Sequence, residues 1–425
     1  MISRNKGGYS GKKNCFETVR NLLEGTAYEN RSKKREQDFS RERKMPFKKL
    51  IWFMLGTVKE SSQNALERFF PKIKETAHMS RQAFSMARQK VKREAFRELF
   101  QASAEGSYNE ELKDWRGYLL MAVDGSRIAL PPDEALRKYY GVIGNEKTVA
   151  TARMSILYDI ENDIIADAKI EPISKDERGL AKEHINALAE TGSRLGGRKA
   201  IVIFDRGYPS KDLIGYLGNK GIKYVMRVQR GFNSRIDLIS AGSEVIKLSE
   251  EICVRAVVFE LSNGEREALI TNLGEEEAEE AVFPGLYYKR WPIETKYNQV
   301  KQKLELENFS GRLADNIKQD FYAMMTVSNM PACAMREANR EINMEGVGKE
   351  RLYEYRANAN HAVGVLKDRL IGIVIAEKRF VRLRLYRELV SEIKRRIVPI
   401  RPNRKTPRKE YPKKPHFHHN HKSNC

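Results

Sequence analysis

Hydrophobic and polar positions change rhythm several times along this chain. Up to about residue 45 the sequence is polar and basic, with Lys33-Lys34-Arg35 and Arg41-Glu42-Arg43-Lys44. This predicts a loosely ordered arm carrying one helix near Cys15–Glu24. From Phe47 to about Gln101, apolar residues recur at helical spacing, as in Leu50, Phe53 and Met54, then Ala65, Phe69 and Phe70. Ser80 stands where a helix N-cap is expected, and the segment after it carries Arg81, Arg88, Lys90, Lys92 and Arg93. A short helix, a turn and a basic helix suit a helix-turn-helix DNA reader, although a helical bundle with a solvated basic face has the same pattern.

At Gly117 the texture becomes that of a buried sheet. Residues 118–123 form a continuous apolar run that predicts a strand ending at Asp124-Gly125. Strands over 152–160 and 164–170 follow, joined by Glu161-Asn162-Asp163, as an antiparallel meander. Residues 176–190 read as a helix with Leu180, His184, Ile185 and Leu188 on one stripe. A second apolar strand, 200–204, ends at Asp205-Arg206-Gly207; a helix over 209–218 and a strand over 224–228 come next. Three antiparallel strands, helix, strand, helix, strand is the order of an RNase H-like mixed α/β sheet. Residues 229–283 interrupt it with three short strand-like runs, read as a β-rich insertion. Helical sequence resumes at 292–304, at 317–342 with a kink or break expected at Pro331, and at 351–397. The expected organisation is an arm over 1–45, a helical DNA-binding domain over 46–105, a catalytic core over 106–345 and a helical, basic C-terminal region over 346–425.

Charge narrows the partner. The 425 residues carry a formal net charge of +21, which favours a polyanion, because each neutralised phosphate releases a counterion. From Arg401 onward there are eight Lys or Arg against Glu410 alone, so the tail is read as ordering on nucleic acid. His416, His418, His419 and His421 within it read as solvated rather than metal-binding. Four scattered cysteines without CxxC spacing exclude a disulfide framework or zinc site and suit a reducing cytosol. No apolar run reaches the ~20 residues of a membrane span, and no signal peptide is visible. A cytoplasmic, nucleoid-associated protein without membrane partners is expected.

The candidate chemistry lies in three acids. Asp124 and Asp205 end strands that are neighbours in this fold order. Phosphodiester cleavage uses two Mg²⁺ ions about 3.5–4 Å apart, and such ions take oxygen ligands. Asp-Gly after a strand is also ordinary turn chemistry, so neither aspartate decides the matter alone. The third piece is the run from Leu286 to Lys301, in which Tyr287, Arg290, Glu294 and Lys301 fall within a wedge of about 60° on an ideal helix. Pro292 requires the helix to begin near Trp291. A salt-bridged surface helix would explain Glu294 beside Arg290, but not the tyrosine and lysine that share the wedge. Glu294 is read as the third carboxylate, with Arg290 and Lys301 gripping phosphates.

The spacing Tyr287-x2-Arg290-x3-Glu294-x6-Lys301 resembles the tyrosine–arginine–glutamate–lysine signature of the IS4 family of bacterial DDE transposases. Val123-Asp124-Gly125-Ser126 and Phe204-Asp205-Arg206-Gly207-Tyr208 are similar to that family's first and second aspartate motifs. The resemblance covers about residues 45 to 410. It implies catalytic, metal-holding Asp124, Asp205 and Glu294, two Mg²⁺ or Mn²⁺ ions, and DNA contacts from Tyr287, Arg290, Lys301 and Arg206; the basic helix after Ser80 adds Arg81 and Arg88 to the expected DNA contacts. It also implies a homodimer that synapses terminal inverted repeats, hydrolysis that frees a 3′-hydroxyl, and strand transfer into double-stranded target DNA. The alternatives are a nuclease on the same fold and a non-catalytic DNA-binding regulator. One departure stands out: Trp52, Trp115 and Trp291 all lie outside 229–283, where some members hold a tryptophan that stacks on a flipped base during hairpin formation. Phe232 or Phe259 would have to stack instead.

Overall fold

The computed structural model describes residues 14–401, except 42, 57–60, 109–111, 145–148, 191–194, 196, 348–349 and 351. The basic tail with its histidines therefore lies outside the described residues. Six helices come first: α1 (Cys15–Glu24), α2 (Thr26–Ser32), α3 (Phe47–Leu55), α4 (Ser62–Lys72), α5 (Arg81–Arg88) and α6 (Arg93–Tyr108). From Cys15 onward the expected arm is folded. Cys15, Phe16, Val19 and Leu23 form a buried stripe on α1 at helical spacing, so the segment has a core to join despite its basic composition. Ser80 caps α5 as expected, its hydroxyl accepting from Ala83 N at 3.2 Å.

The sheet-forming part follows in the order β1 (Tyr118–Ala129), α7 (Glu134–Tyr140), β2 (Thr151–Asp159), β3 (Ile164–Pro172), α8 (Glu177–Glu190), β4 (Lys199–Phe204), α9 (Lys211–Asn219) and β5 (Lys223–Val228). Then come α10 (Ser234–Leu238), β6 (Gly242–Lys247), β7 (Cys253–Glu260) and β8 (Arg266–Thr271). All eight strands form one sheet in the order β3-β2-β1-β4-β5-β8-β7-β6. Its first five strands have the RNase H-like arrangement: β1 runs antiparallel to β2 and parallel to β4, and β4 runs parallel to β5. The strands of the insertion are continuous with this core sheet, because β8 pairs antiparallel with β5 from Val225↔Thr271 to Val228↔Ala268.

After the sheet come α11 (Phe283–Tyr288), α12 (Pro292–Asn298), a π-helical turn over Gln299–Lys303, and α13 (Ala314–Gly346). The 33-residue α13 continues through Pro331. The chain ends in β9 (Glu354–Ala357), α14 (Ala359–Ile375), α15 (Arg379–Lys394) and β10 (Ile397–Ile400), with β9 and β10 paired as a separate ribbon. The expectation of helix throughout 351–397 missed this ribbon.

Alternation along the strands distributes the core. One sheet face, with Leu120, Ala122, Ile156, Ile201 and Ile203, packs under α1, α3, α6, α13 and α14 in one cluster that extends from Cys15 to Ile393. The opposite face, with Leu119, Met121, Val123, Val202 and Phe204, is covered by α8 and α9. The N-terminal helices, half of the sheet and the C-terminal helices thus share a single apolar core. Among the described residues no helix is long and apolar enough to cross a membrane.

Candidate active site

Asp124 does not end its strand. The ladder with β2 continues from Asp124↔Ile156 to Ala129↔Thr151, while parallel pairing with β4 stops at Ala122↔Ile203. The apolar run ended at Val123 because burial eases from Asp124 to Arg127, not because the strand stops. Asp205 directly follows β4. Both acids therefore sit just beyond the last paired residues of two adjacent parallel strands, at the carboxyl-end crevice where α/β sheets place ligands.

Local hydrogen bonds aim the two side chains. Gly125 N donates to Asp124 Oδ1 at 2.8 Å, and Gly207 N donates to Asp205 Oδ1 at 2.8 Å. Arg178, at the start of α8, donates to Gly207 O at 3.1 Å and ties down the turn that carries Asp205. Its neighbour Glu177 pairs with Arg153 and lies against Gly125, where an added Cβ would come within 3.1 Å of Glu177 Oε1. Burial pushes the Asp124 carboxyl up to about 6; Asp205 and Glu177 add to the rise, against Gly125 N–H and Arg290. Tyr208 is buried beside this group, its phenol raised by burial and then by the charges of Asp124, Glu177 and Asp205. Among the described residues its hydroxyl has no hydrogen-bond partner, and neither has the buried Nε of Arg290.

The third element arrives from the other side. Pro292 opens α12 as its position required, and Tyr287 and Arg290 precede it. Arg290 is buried, its guanidinium 6.0 Å from the Tyr287 ring centroid and 5.9 Å from that of Trp291. Arg290 Nη2 lies 3.8 Å from Glu294 Oε1, and the same guanidinium acts on Asp124. Glu294 is part-exposed. Among the described residues, no three His, Cys, Asp or Glu side chains stand at metal-ligand spacing. The three-acid clasp expected from the sequence does not stand as such in this structure: Asp124 and Asp205 sit at adjacent strand ends, and Arg290 lies 3.8 Å from Glu294 and in electrostatic contact with Asp124.

Tyr297, one turn beyond Glu294, was not singled out by the sequence. Its Oη donates to the main-chain carbonyl of Asp124 at 2.6 Å and joins α12 directly to β1. Lys301 lies in the π-helical turn and donates to Arg127 O at 2.5 Å, with burial lowering its pKa. Its place in the wedge therefore reflects a backbone partner at the far end of β1.

Of the expected DNA contacts, Arg81 and Arg206 are exposed. Arg88 is not. Its side chain is 1% exposed and paired with Asp320 at 2.9 Å, with further bonds to Gln319, Ser310 and Asn316 O. It follows Phe84 by one turn on the buried stripe of α5, so it faces α13 rather than solvent. Phe232 and Phe259 are both half-buried against the sheet.

These residues fall inside a known family. The model of the transposase DDE domain matches residues 115–330, about half of the chain. Transposase InsG for insertion sequence element IS4, from Escherichia coli (strain K12), is 22% identical over 318 residues, covering 68% of this chain and 70% of its own length. The InsZ transposase of the same organism is 26% identical over 212 residues, covering 48% and 68%. Among solved structures, a piggyBac transposase synaptic complex with hairpin DNA is similar at 10% identity and a TM-score of 0.48, over 90% of this chain and 85% of that one. Dependence on a divalent metal and binding to DNA go with the family. The chain belongs to the transposase DDE-domain family, as a DNA transposase of the IS4 type.

Proposed function

We propose that Asp124, Asp205 and Glu294 are the catalytic carboxylates of this transposase, and that together they hold two Mg²⁺ or Mn²⁺ ions. The reading rests on one observation: two aspartates meet at the carboxyl-end crevice of β1 and β4, and Asp124 is raised by burial among like charges. A desolvated Asp124 carboxylate beside Asp205, with the buried Tyr208 hydroxyl behind it, suits a hard cation with oxygen ligands. When bound, the ions supply Lewis-acid stabilisation of charge at the attacked phosphate. Arg290, backed by the rings of Tyr287 and Trp291, presents a planar fork to a phosphate beside Glu294. Lys301 retains two ammonium donors beyond the one given to Arg127 O. Arg206 and Arg81 extend the phosphate contacts across the exposed surface; Arg88 does not belong to this set.

The reaction is hydrolysis of the phosphodiester at a terminal inverted repeat, which releases a 3′-hydroxyl. That hydroxyl then attacks a phosphodiester of double-stranded target DNA, within a homodimer holding two ends. The test pairs cleavage with binding on an end fragment taken from the DNA flanking the gene. Asp124→Asn, Asp205→Asn and Glu294→Gln each abolish divalent-dependent cleavage and leave end binding largely intact. Full cleavage by any one of them removes that residue from the mechanism.

A further inference from the structure

The core behind Asp124 contains a line of buried polar side chains that the chemistry above does not use. Asp167 on β3, His184 on α8 and Ser155 on β2 expose 6%, 0% and 1% of their surfaces. His184 Nδ1 lies 2.8 Å from Asp167 Oδ2, and its Nε2 lies 3.0 Å from Ser155 Oγ. Ser155 Oγ in turn donates to the main-chain carbonyl of Asp124 at 3.3 Å. Three elements thus converge by consecutive hydrogen bonds on the backbone of one residue.

Ser155 donates to Asp124 O, and the His184 ring spans from Ser155 Oγ at Nε2 to the Asp167 carboxylate at Nδ1, its donor and acceptor roles following the tautomer. Burial pushes the Asp167 carboxyl up, but the His184 contact and Lys169, 3.4 Å away, outweigh it and hold the group below its ordinary value. Polar groups buried this deeply cost free energy unless fully partnered, and apolar residues would fill the same space. The line ends where β1 has lost β4 as a neighbour, since their pairing stops two residues before Asp124.

We propose that the Asp167–His184–Ser155 line is a positioning device that fixes the Asp124 peptide, and with it the direction of the Asp124 carboxylate toward the metal pair. The inference rests on Asp124 being a metal-holding carboxylate. Ser155 touches neither metal nor DNA in this scheme and acts only through Asp124.

The experiment uses the full chain with Ser155→Ala, Ser155→Thr and Asp124→Asn. Mn²⁺ binding without DNA is followed by the electron paramagnetic resonance of free Mn²⁺, beside melting temperature, end binding and the Mn²⁺ concentration for half-maximal cleavage. Ser155→Ala removes one oxygen. It should weaken Mn²⁺ affinity on the order of tenfold, as loss of an outer-shell partner does, and shift the half-maximal concentration equally. Melting and end binding stay close to the parent, and Ser155→Thr restores the affinity. Parental Mn²⁺ affinity in Ser155→Ala overturns the proposal. A loss that tracks melting and is not restored by threonine overturns it too, since the line is then only structural. If Asp124→Asn itself binds Mn²⁺ as the parent does, the assignment of Asp124 has failed, and the result is distinguishable from failure of the line.

Discussion

Tyr297 Oη reaches the main-chain oxygen of Asp124 at 2.6 Å, so the helix that carries Glu294 is fastened to the strand that carries the first aspartate. The bond is buried, and Tyr297 lies three residues beyond Glu294, on the next helical turn. A phenol in this position sets the offset between the elements that carry Asp124 and Glu294, two acids 170 residues apart in the chain (294 − 124).

Tyr297→Phe keeps the ring and removes the donor. Stability should fall by about 1 kcal/mol, the net worth of one hydrogen bond. End cleavage should slow roughly tenfold with end binding unchanged, because α12 loses its register against β1. Single-turnover cleavage beside a binding titration measures both; an unchanged rate would show that the bond carries no alignment.

Arg88→Met separates a structural arginine from a DNA contact. Removing one partner of a buried pair leaves Asp320 uncompensated, so unfolding in urea should show a loss of about 3–5 kcal/mol. The salt dependence of DNA binding by the folded fraction should keep its slope, since no phosphate contact is lost. A slope lowered by about one would return Arg88 to the DNA surface.

The turn between β2 and β3 predicts a pH effect on stability. Asp159 is fully buried and accepts from Asn162 Nδ2 and N; burial pushes its carboxyl from 3.8 up to about 7, despite the Asn162 bonds. A carboxyl raised in the fold favours the folded state below its unfolded pKa, and this contribution is lost as pH rises from about 4 through about 7. The full span is worth about 4 kcal/mol at 1.36 kcal/mol per unit. Asp159→Asn loses hydrogen bonds at every pH but escapes this loss. Its melting temperature relative to the parent should therefore rise between pH 5 and pH 8, and a constant difference would contradict the shift.

Much of this architecture was legible because burial and periodicity coincide. Leu119–Val123 and Ala200–Phe204 are apolar on both faces, so their strands stood out, and Asn162 and Asp163 marked the turn between β2 and β3. Legibility failed where a strand stops being buried before it stops being a strand, as at Asp124–Arg127. It failed again at Arg88, where charge suggested phosphate and the actual partner was an aspartate from a distant segment, and at Lys301, where nothing signalled the main-chain partner on β1. His184 shows a signal that was present but unused. It sits on the buried stripe of α8 with Leu180, Ile185 and Leu188, and a polar residue there requires partners that only the folded sheet identifies. Tyr297 gave no comparable sign, because its partner is a main-chain atom.

The 33-residue α13 extends about 50 Å at the usual helical rise and packs on α1, α3, α6, α14 and α15 as well as on β3. Synthesis must therefore pass Gly346 before the first hundred residues find their permanent neighbour. A polypeptide truncated upstream would leave Phe96, Leu99 and Phe100 against water, and would aggregate or be degraded. Termination before Gly346 is therefore expected to cost the N-terminal helices their fold, and not merely to remove the end of the protein.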